Sequence, residues 1–228
     1  KKDEVFDRFG VKIIIKPIYL QILLIVLVYL GIFVEMNYQF IRHEFENSLR
    51  VILLGIYNFT FVLALIAKQR LKANPLLEKA NTLLSFLVIG SYMTVYLNQV
   101  SIALYNSTHE LDLFETGFIA HYILLVVFLL VLASLIKNIQ TTFGFNSQNG
   151  KISLWVLSFI AIFICSAEAG HLSVIYQHSD GISMGNEYSI AVKYVYPVVW
   201  AITALALMIL GMKFRLKTLR LASLVIFG

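Results

Sequence analysis

The amino-acid sequence predicts an all-α protein, a polytopic bundle of transmembrane helices with six full spans and the start of a seventh. Three observations predict it: 59% of the 228 residues are hydrophobic, only 14% are charged, and the mean hydropathy is +0.81. A soluble domain cannot hide so much apolar surface. The composition therefore excludes a soluble enzyme and, despite an isoelectric point near 9.2, a nucleic-acid partner. The single cysteine, Cys165, excludes a disulfide scaffold.

Each predicted span is an apolar run about long enough to cross roughly 30 Å of hydrocarbon as a helix. In chain order, the six full spans are Pro17 to Met36, Val51 to Ala67, Thr82 to Tyr105, Thr116 to Ile136, Ile152 to Tyr176 and Ile190 to Met212. A seventh begins near Thr218, and the sequence stops inside its apolar run. We therefore expect residues 1–228 to form a single transmembrane helical domain that is a segment of a longer polytopic protein.

The breaks between the spans contain residues that end helices or resist burial. The second span is followed by three basic residues and a proline: Lys68, Arg70, Lys72 and Pro75. A polar turn, Asn146–Gly150, separates the fourth span from the fifth, and Ser179–Asn186 contains two glycines before the sixth. None of these breaks is long enough to hold a separate soluble domain.

The distribution of basic residues predicts which side of the membrane each break lies on, because Lys and Arg resist translocation. If the N-terminal segment is cytoplasmic, every Lys and Arg falls on the cytoplasmic side except Arg42, Arg50 and Lys193. This bias predicts a multi-pass membrane protein with both ends of the segment in the cytoplasm.

The same sorting places most acids and all five histidines toward the outside. The histidines are His43, His109, His121, His171 and His178. A plain explanation is open, since acids are indifferent to the positive-inside rule and few outer cations leave a negative balance by default. A functional explanation is that this face holds a site.

Several polar residues fall at similar depth near the outer ends of the predicted spans. An ionisable group at membrane depth is a functional candidate by default, because its burial is costly. Helical rise puts Glu168, His121, Asn98 and Gln99 at one level, with Glu35, His171 and Lys193 nearer the surface. We predict a substrate-binding layer formed by Glu168, His121, His171, Asn98, Gln99 and Lys193, with Glu35 beside it.

Helical periodicity predicts that Glu168 faces protein rather than lipid. Ala161, Cys165 and Ala169 form a small-residue stripe that favours close helix packing, and Glu168 lies at its edge. His171 follows Glu168 at the i, i+3 spacing, so both lie on one side of the helix. The alternative to a site is a buried carboxylate that only pins helices together.

No sequence motif assigns a chemistry to these residues. The phosphate-loop, hydrolase-elbow, zincin and C-x-x-C motifs are all absent from the sequence. We expect no metal and no cofactor, although His121, Glu168, His171 and His178 offer nitrogen and oxygen atoms of the kind that bind zinc. Tyr188 belongs to a set of tyrosines that we interpret as an aromatic belt at the membrane interface.

The C-terminal third carries a family resemblance. The pattern begins with Ser166-Ala167-Glu168 and His171, followed by Trp200 and Gly211. It continues with the basic turn Lys213-Phe214-Arg215-Leu216-Lys217 and ends with Leu219 to Gly228. From about Ile160 onward this resembles a large bacterial family of many-span inner-membrane proteins of unknown function. The resemblance implies a further helix after the basic turn. It supports Glu168 and His171 as candidate functional residues but implies no activity for them.

Three functions follow from these observations. The first is a scaffold or transport-like helical body in the bacterial cell envelope, with Glu168 and His121 tuning an outward polar cavity. The second is an intramembrane enzyme, metal-dependent or acid–base, with an outward-facing site. The third is a structural subunit of a membrane complex. The expected partners are the lipid bilayer, the remaining helices of the same protein and an envelope protein.

Overall fold

The computed structural model describes residues 17–71, 75–109, 116–177 and 184–227, and within them the chain is helical without any β-strand. The helices are α1 (Pro17–Arg42), α2 (Asn47–Leu71), α3 (Pro75–Ser91), α4 (Leu97–His109), α5 (Thr116–Thr142), α6 (Gln148–Gln177), α7 (Met184–Ile190), α8 (Tyr196–Lys213) and α9 (Lys217–Phe227). Two π-helical turns, Tyr92–Tyr96 and Ala191–Val195, join α3 to α4 and α7 to α8.

The predicted fold class is confirmed. Six helical stretches of 23 to 31 residues are long and apolar enough to cross a membrane. Each is longer than its predicted span, because hydropathy marks only the apolar part of a helix while backbone hydrogen bonding continues into the polar flanks. The predicted seventh helix begins at Lys217 and runs to Phe227 as α9.

The chain divides into two compact units, Lys1–Phe45 and Glu46–Gly228. The described part of the first unit is α1 and the turn after it. Most apolar side chains of α1 are exposed, as suits contact with lipid. Within this unit, Gln39 donates a hydrogen bond to Glu35 at 2.6 Å, and the rings of Phe40 and Phe45 stack.

The core of the second unit is an aromatic cluster at mid-depth. Phe59 of α2, Tyr92 of the first π-helical turn and Phe128 of α5 are fully buried. The ring centroids of Tyr92 and Phe128 are 4.4 Å apart. Gly55 on α2 leaves room for the ring of Tyr96, since a Cβ at Gly55 would lie 2.6 Å from it. These contacts join α2, the first π-helical turn and α5.

The C-terminal helices pack beside α6. The indole of Trp200 on α8 donates a hydrogen bond to the Ser166 hydroxyl of α6 at 2.9 Å. A tight turn follows α8, in which Arg215 adopts a φ of 55°. A Cβ at Gly211 would lie 2.9 Å from the backbone nitrogen of Arg220. Glycine at this position therefore lets α9 fold back against α8.

A short turn, Phe143–Ser147, makes α5 and α6 an antiparallel pair. Gly144 occupies the left-handed region there, with a φ of 70°. The predicted turn was Asn146–Gly150, but Gln148 to Gly150 already belong to α6. The antiparallel pairing brings the start of α5 next to the end of α6, and we name this end of the unit the histidine end.

Candidate functional site

His121 lies in the second turn of α5 and is completely buried. Its Nδ1 atom is 2.6 Å from the carbonyl oxygen of Phe118. A carbonyl only accepts hydrogen bonds, so Nδ1 carries the proton in this contact. The other ring nitrogen, Nε2, is thereby aimed at the neighbouring helix, with a lone pair available when the ring is neutral.

Glu168 on α6 is the side chain that Nε2 of His121 meets. The distance from this nitrogen to Oε2 of Glu168 is 3.3 Å. His171, one turn further along α6, places its Nδ1 atom 3.9 Å from Oε1 of the same carboxylate. The Glu168 side chain is 18% exposed, whereas the His171 side chain is 4% exposed. The structure thus brings together the three residues His121, Glu168 and His171, which we call the triad.

Two hydroxyl groups lie beside His171. The Ser101 oxygen of α4 is 3.4 Å from Nε2 of His171 and 3.5 Å from the hydroxyl of Tyr188 on α7. Gly170 makes room for this arrangement, because a Cβ there would lie 3.4 Å from the Tyr188 ring and 3.0 Å from the Tyr196 hydroxyl. Side chains from four helices, α4, α5, α6 and α7, therefore meet at the triad.

Some polar atoms around the triad are buried without a hydrogen-bond partner in the described part of the chain. They include Oε1 of Glu168, Nδ1 of His171 and the hydroxyl of Tyr92. Tyr92 interacts electrostatically with Glu168, although its geometry falls short of a hydrogen bond. Buried polar groups are normally satisfied. These atoms therefore keep bonding capacity that the described residues do not use.

The two π-helical turns lie next to the segments that carry Ser101 and Tyr188. A π-helical turn changes the register of the residues that follow it, so it re-aims side chains further along the helix. Ser101 comes five residues after Tyr96, and Tyr188 comes three residues before Ala191. Pro197 follows the second turn and lacks the N–H that regular helical bonding to Lys193 would require. π-helical turns are frequent at functional sites.

The other predicted layer residues do not join the triad. The side chains of Asn98 and Lys193 are exposed, and in the described part of the chain neither bonds to the triad. Gln99 is half-buried on α4. Glu35 belongs to the first unit, where it accepts the bond from Gln39. His178, which offered a fourth zinc ligand, lies outside the described residues.

One sequence expectation about packing needs correction. Cys165 is exposed, so the small-residue stripe is not the packed face of α6. Glu168 faces protein because the buried residues Leu157, Ile160 and Ile164 turn the neighbouring face inward. Tyr188 is half-buried, with its hydroxyl 3.5 Å from the Ser101 oxygen, and its place in an interfacial belt stays a prediction. Only its position near the end of a span could have drawn attention to it.

The triad has the chemistry of either a cation site or a proton-transfer site. One atom from each of the three residues lies within 4.8 Å of the others, a separation that a metal ion can bridge. Two imidazoles and one carboxylate are also suited to moving protons. Ser101, Tyr188 and Tyr92 add hydroxyl groups that sequence reasoning did not select.

Comparison with known proteins agrees with the membrane architecture. A family model described as predicted membrane protein (DUF2339) matches residues 13–228. The match extends far beyond the region from Ile160 that carried the sequence resemblance. No curated protein and no solved structure matches the chain. Because the family model covers almost the whole sequence, the chain belongs to the DUF2339 family of predicted membrane proteins, whose function is unknown.

Proposed function

We propose that this protein is a transport-like helical body of the bacterial inner membrane whose histidine end binds a cationic solute from the outside. One observation carries the proposal: Oε1 of Glu168 is buried and has no hydrogen-bond partner in the described residues. A carboxylate oxygen in this condition is a strong acceptor for a cation or a donor group. The partial exposure of Glu168 leaves a route by which a ligand can reach it.

The outward direction follows from the charge distribution. Lys151 lies close to the turn after α5, and Lys213 and Arg215 lie at the turn after α8. The positive-inside rule assigns both turns to the cytoplasm. The start of α5 and the end of α6 then face outward. The triad lies at that end, about 8 Å below the first residue of α5.

Thiol labelling tests the outward access. In a Cys165→Ser background, we expect Ser101→Cys to react with a membrane-impermeant thiol reagent added to cells whose outer membrane is permeabilised. Asn146→Cys, at the opposite end of α5 and α6, is the matched control and should react only after the inner membrane is opened. An unreactive Ser101→Cys that labels fully after denaturation would contradict the proposal, as would outside labelling of Asn146→Cys.

A second candidate function is an acid–base enzyme acting on a lipid or periplasmic substrate. The observation that favours it is the pair of hydroxyls, Ser101 and Tyr188, beside the His171 ring. This reading predicts that Tyr188→Phe, which removes one oxygen, leaves the fold intact but changes the lipid or periplasmic metabolite profile of cells that depend on the protein. An unchanged profile, compared by mass spectrometry with that of cells carrying the wild type, would exclude this role for Tyr188.

A purely structural role makes a different forecast. If Glu168 only pins helices within a larger complex, Glu168→Gln should lower stability or assembly and leave ligand binding untouched. Measuring both quantities on one preparation separates the two readings.

A further inference from the structure

The geometry points to a divalent transition-metal ion, of the Zn²⁺ type, as the ligand of the triad, bound by Nε2 of His121, a carboxylate oxygen of Glu168 and Nδ1 of His171. This inference rests on the proposed function and narrows its cationic solute to a metal. It departs from the sequence expectation of no metal, because the folded arrangement supplies contacts that the spacing of the residues did not indicate.

The first argument is the direction of His121. Its Nδ1–H donates to the Phe118 carbonyl, so a neutral ring presents a lone pair to Oε2 of Glu168 at 3.3 Å. Two acceptors at this distance repel unless a positive charge lies between them. Metal-binding histidines commonly donate their second ring N–H to a carbonyl in this way, which holds the ring in the ligating orientation.

The second argument is the number of unsatisfied atoms. A proton shared between His121 and Glu168 would satisfy only that pair. It would leave Oε1 of Glu168 and Nδ1 of His171 buried and 3.9 Å apart, within ion-pair distance of each other but without a hydrogen-bond partner in the described residues. A divalent ion coordinated by all three side chains satisfies both rings and the carboxylate together. The His171 residue is 3% exposed, so water gives its Nδ1 atom little compensation.

The third argument is distance. Zinc holds nitrogen and oxygen ligands at about 2.0–2.2 Å, which places neighbouring ligands of a tetrahedral site about 3.4 Å apart. The 3.3 Å contact of His121 with Glu168 already fits this spacing. The other separations, all within 4.8 Å, need a contraction that involves the two imidazole rings as well as the Glu168 carboxyl group.

The ligand set also bears on the kind of metal and on its remaining coordination. Two imidazoles and one carboxylate suit zinc and its first-row neighbours better than Mg²⁺ or Ca²⁺, which prefer all-oxygen sites. Three protein ligands leave a fourth position for water or a substrate atom. Ser101, beside Nε2 of His171, is the group available to orient that ring from behind.

The experiment is a metal titration of the complete protein in lipid nanodiscs after removal of metals with a chelator. We expect one Zn²⁺ per chain, and Co²⁺ in its place should give the visible absorption of a four- or five-coordinate ion. Replacing any ligand, as in His121→Gln, Glu168→Gln or His171→Gln, should weaken binding by at least about 100-fold, since outer-shell changes alone cost 10- to 100-fold. His43→Gln, an exposed histidine outside the triad, is the matched control and should leave affinity unchanged.

A gain-of-signal variant keeps the test decisive if a ligand variant fails to fold. His171→Cys in the Cys165→Ser background should keep a metal site, and its Co²⁺ form should acquire a sulfur-to-cobalt charge-transfer band in the near ultraviolet. The inference is overturned if Zn²⁺ binds no more tightly to the wild type than to the triad variants, or if that band does not appear in a folded His171→Cys protein.

These outcomes remain separable from the labelling test. Outward access without metal binding overturns the metal inference and leaves the proposed function in place. Metal binding without outward access supports a metal in the triad and overturns outward solute binding.

Discussion

Glu78 and Glu168 lie near opposite ends of the second unit, and each reaches from its own helix to a side chain of α5. Their α5 partners, Thr142 and His121, are 21 residues apart, or about 31 Å along the helix. The Thr142 hydroxyl donates to Oε1 of Glu78 at 2.6 Å, and the Thr141 oxygen is 3.0 Å from the same atom. Glu168 instead meets two imidazole rings and keeps a buried oxygen without a hydrogen-bond partner in the described residues.

The difference separates a carboxylate with a structural role from one that we propose binds a ligand. Glu78 is satisfied by hydroxyl donors, and nearby Asn81 adds a hydrogen bond to Gln69 of α2 at 2.7 Å. This end is closed by ordinary helix-pinning contacts. On this side, Nδ2 of Asn138 on α5 is buried without a hydrogen-bond partner in the described residues, whereas at the histidine end Glu168, His171 and Tyr92 each have such an atom. We therefore expect variants at the Glu78 end to change stability alone, and variants at the histidine end to change stability and binding.

The largest effect on stability should come from the α5–α6 turn at the Glu78 end. A Cβ at Gly150 would lie 2.0 Å from the backbone oxygen of Gly144, an atom that cannot move aside. We expect Gly150→Ala to destabilise the protein by about 2 to 3 kcal/mol. Denaturant unfolding in detergent measures this, with Gly90→Ala as control, because nothing lies within 4 Å of a Cβ there. Equal stability of the two variants would show that the turn is not rigid.

The next effect compares the two carboxylates directly. Glu168→Gln removes the charge that faces His121 and His171, and we expect it to cost about 2 kcal/mol. Glu78→Gln keeps an amide oxygen for the Thr142 hydroxyl and should cost less than about 1 kcal/mol. Zn²⁺ should raise the melting temperature of the Glu78→Gln protein but not of the Glu168→Gln protein. If both respond to Zn²⁺ alike, the distinction between the two ends fails.

A smaller effect should follow from removing the donor to Glu78. Thr142→Val keeps the shape of the side chain and loses the hydroxyl, and we expect a loss of about 1 kcal/mol, softened by the nearby Thr141. Thr60→Val, at an exposed threonine of α2, is the matched control and should be neutral. Co²⁺ binding should be the same in both proteins. A change in Co²⁺ affinity for Thr142→Val would mean that the two ends are coupled.

The smallest effect on stability should come from Ser101→Ala. Its contacts with His171 and Tyr188, at 3.4 and 3.5 Å, are long for hydrogen bonds, so we expect less than about 0.5 kcal/mol. Since we infer that Ser101 orients the His171 ring, we expect Co²⁺ affinity to fall about 10-fold. An unchanged unfolding midpoint together with a weaker Co²⁺ affinity would identify Ser101 as a positioning residue. An unchanged affinity would remove Ser101 from the site.

The sequence alone predicted that Glu168, His171 and His121 lie at similar depth near the outer ends of their helices. Their depth follows from counting residues along a helix, and the i, i+3 spacing puts Glu168 and His171 on one face. The sequence also placed Asn98 in this layer, but its side chain is exposed and does not join the triad. The first π-helical turn, just before Asn98, shifts the register of α4, and no pattern in the sequence announces that turn.

Hydropathy alone determined the spans and the membrane character of this protein, because moving some twenty apolar residues from water into hydrocarbon outweighs any preference of single side chains. The rotation of each helix about its axis was decided by tertiary packing. Whether His121 meets Glu168, and whether Tyr188 points at Ser101, depends on close contacts such as that at Gly170 and on the register changes of the π-helical turns. A site made by four helices is therefore defined only when those helices are packed together.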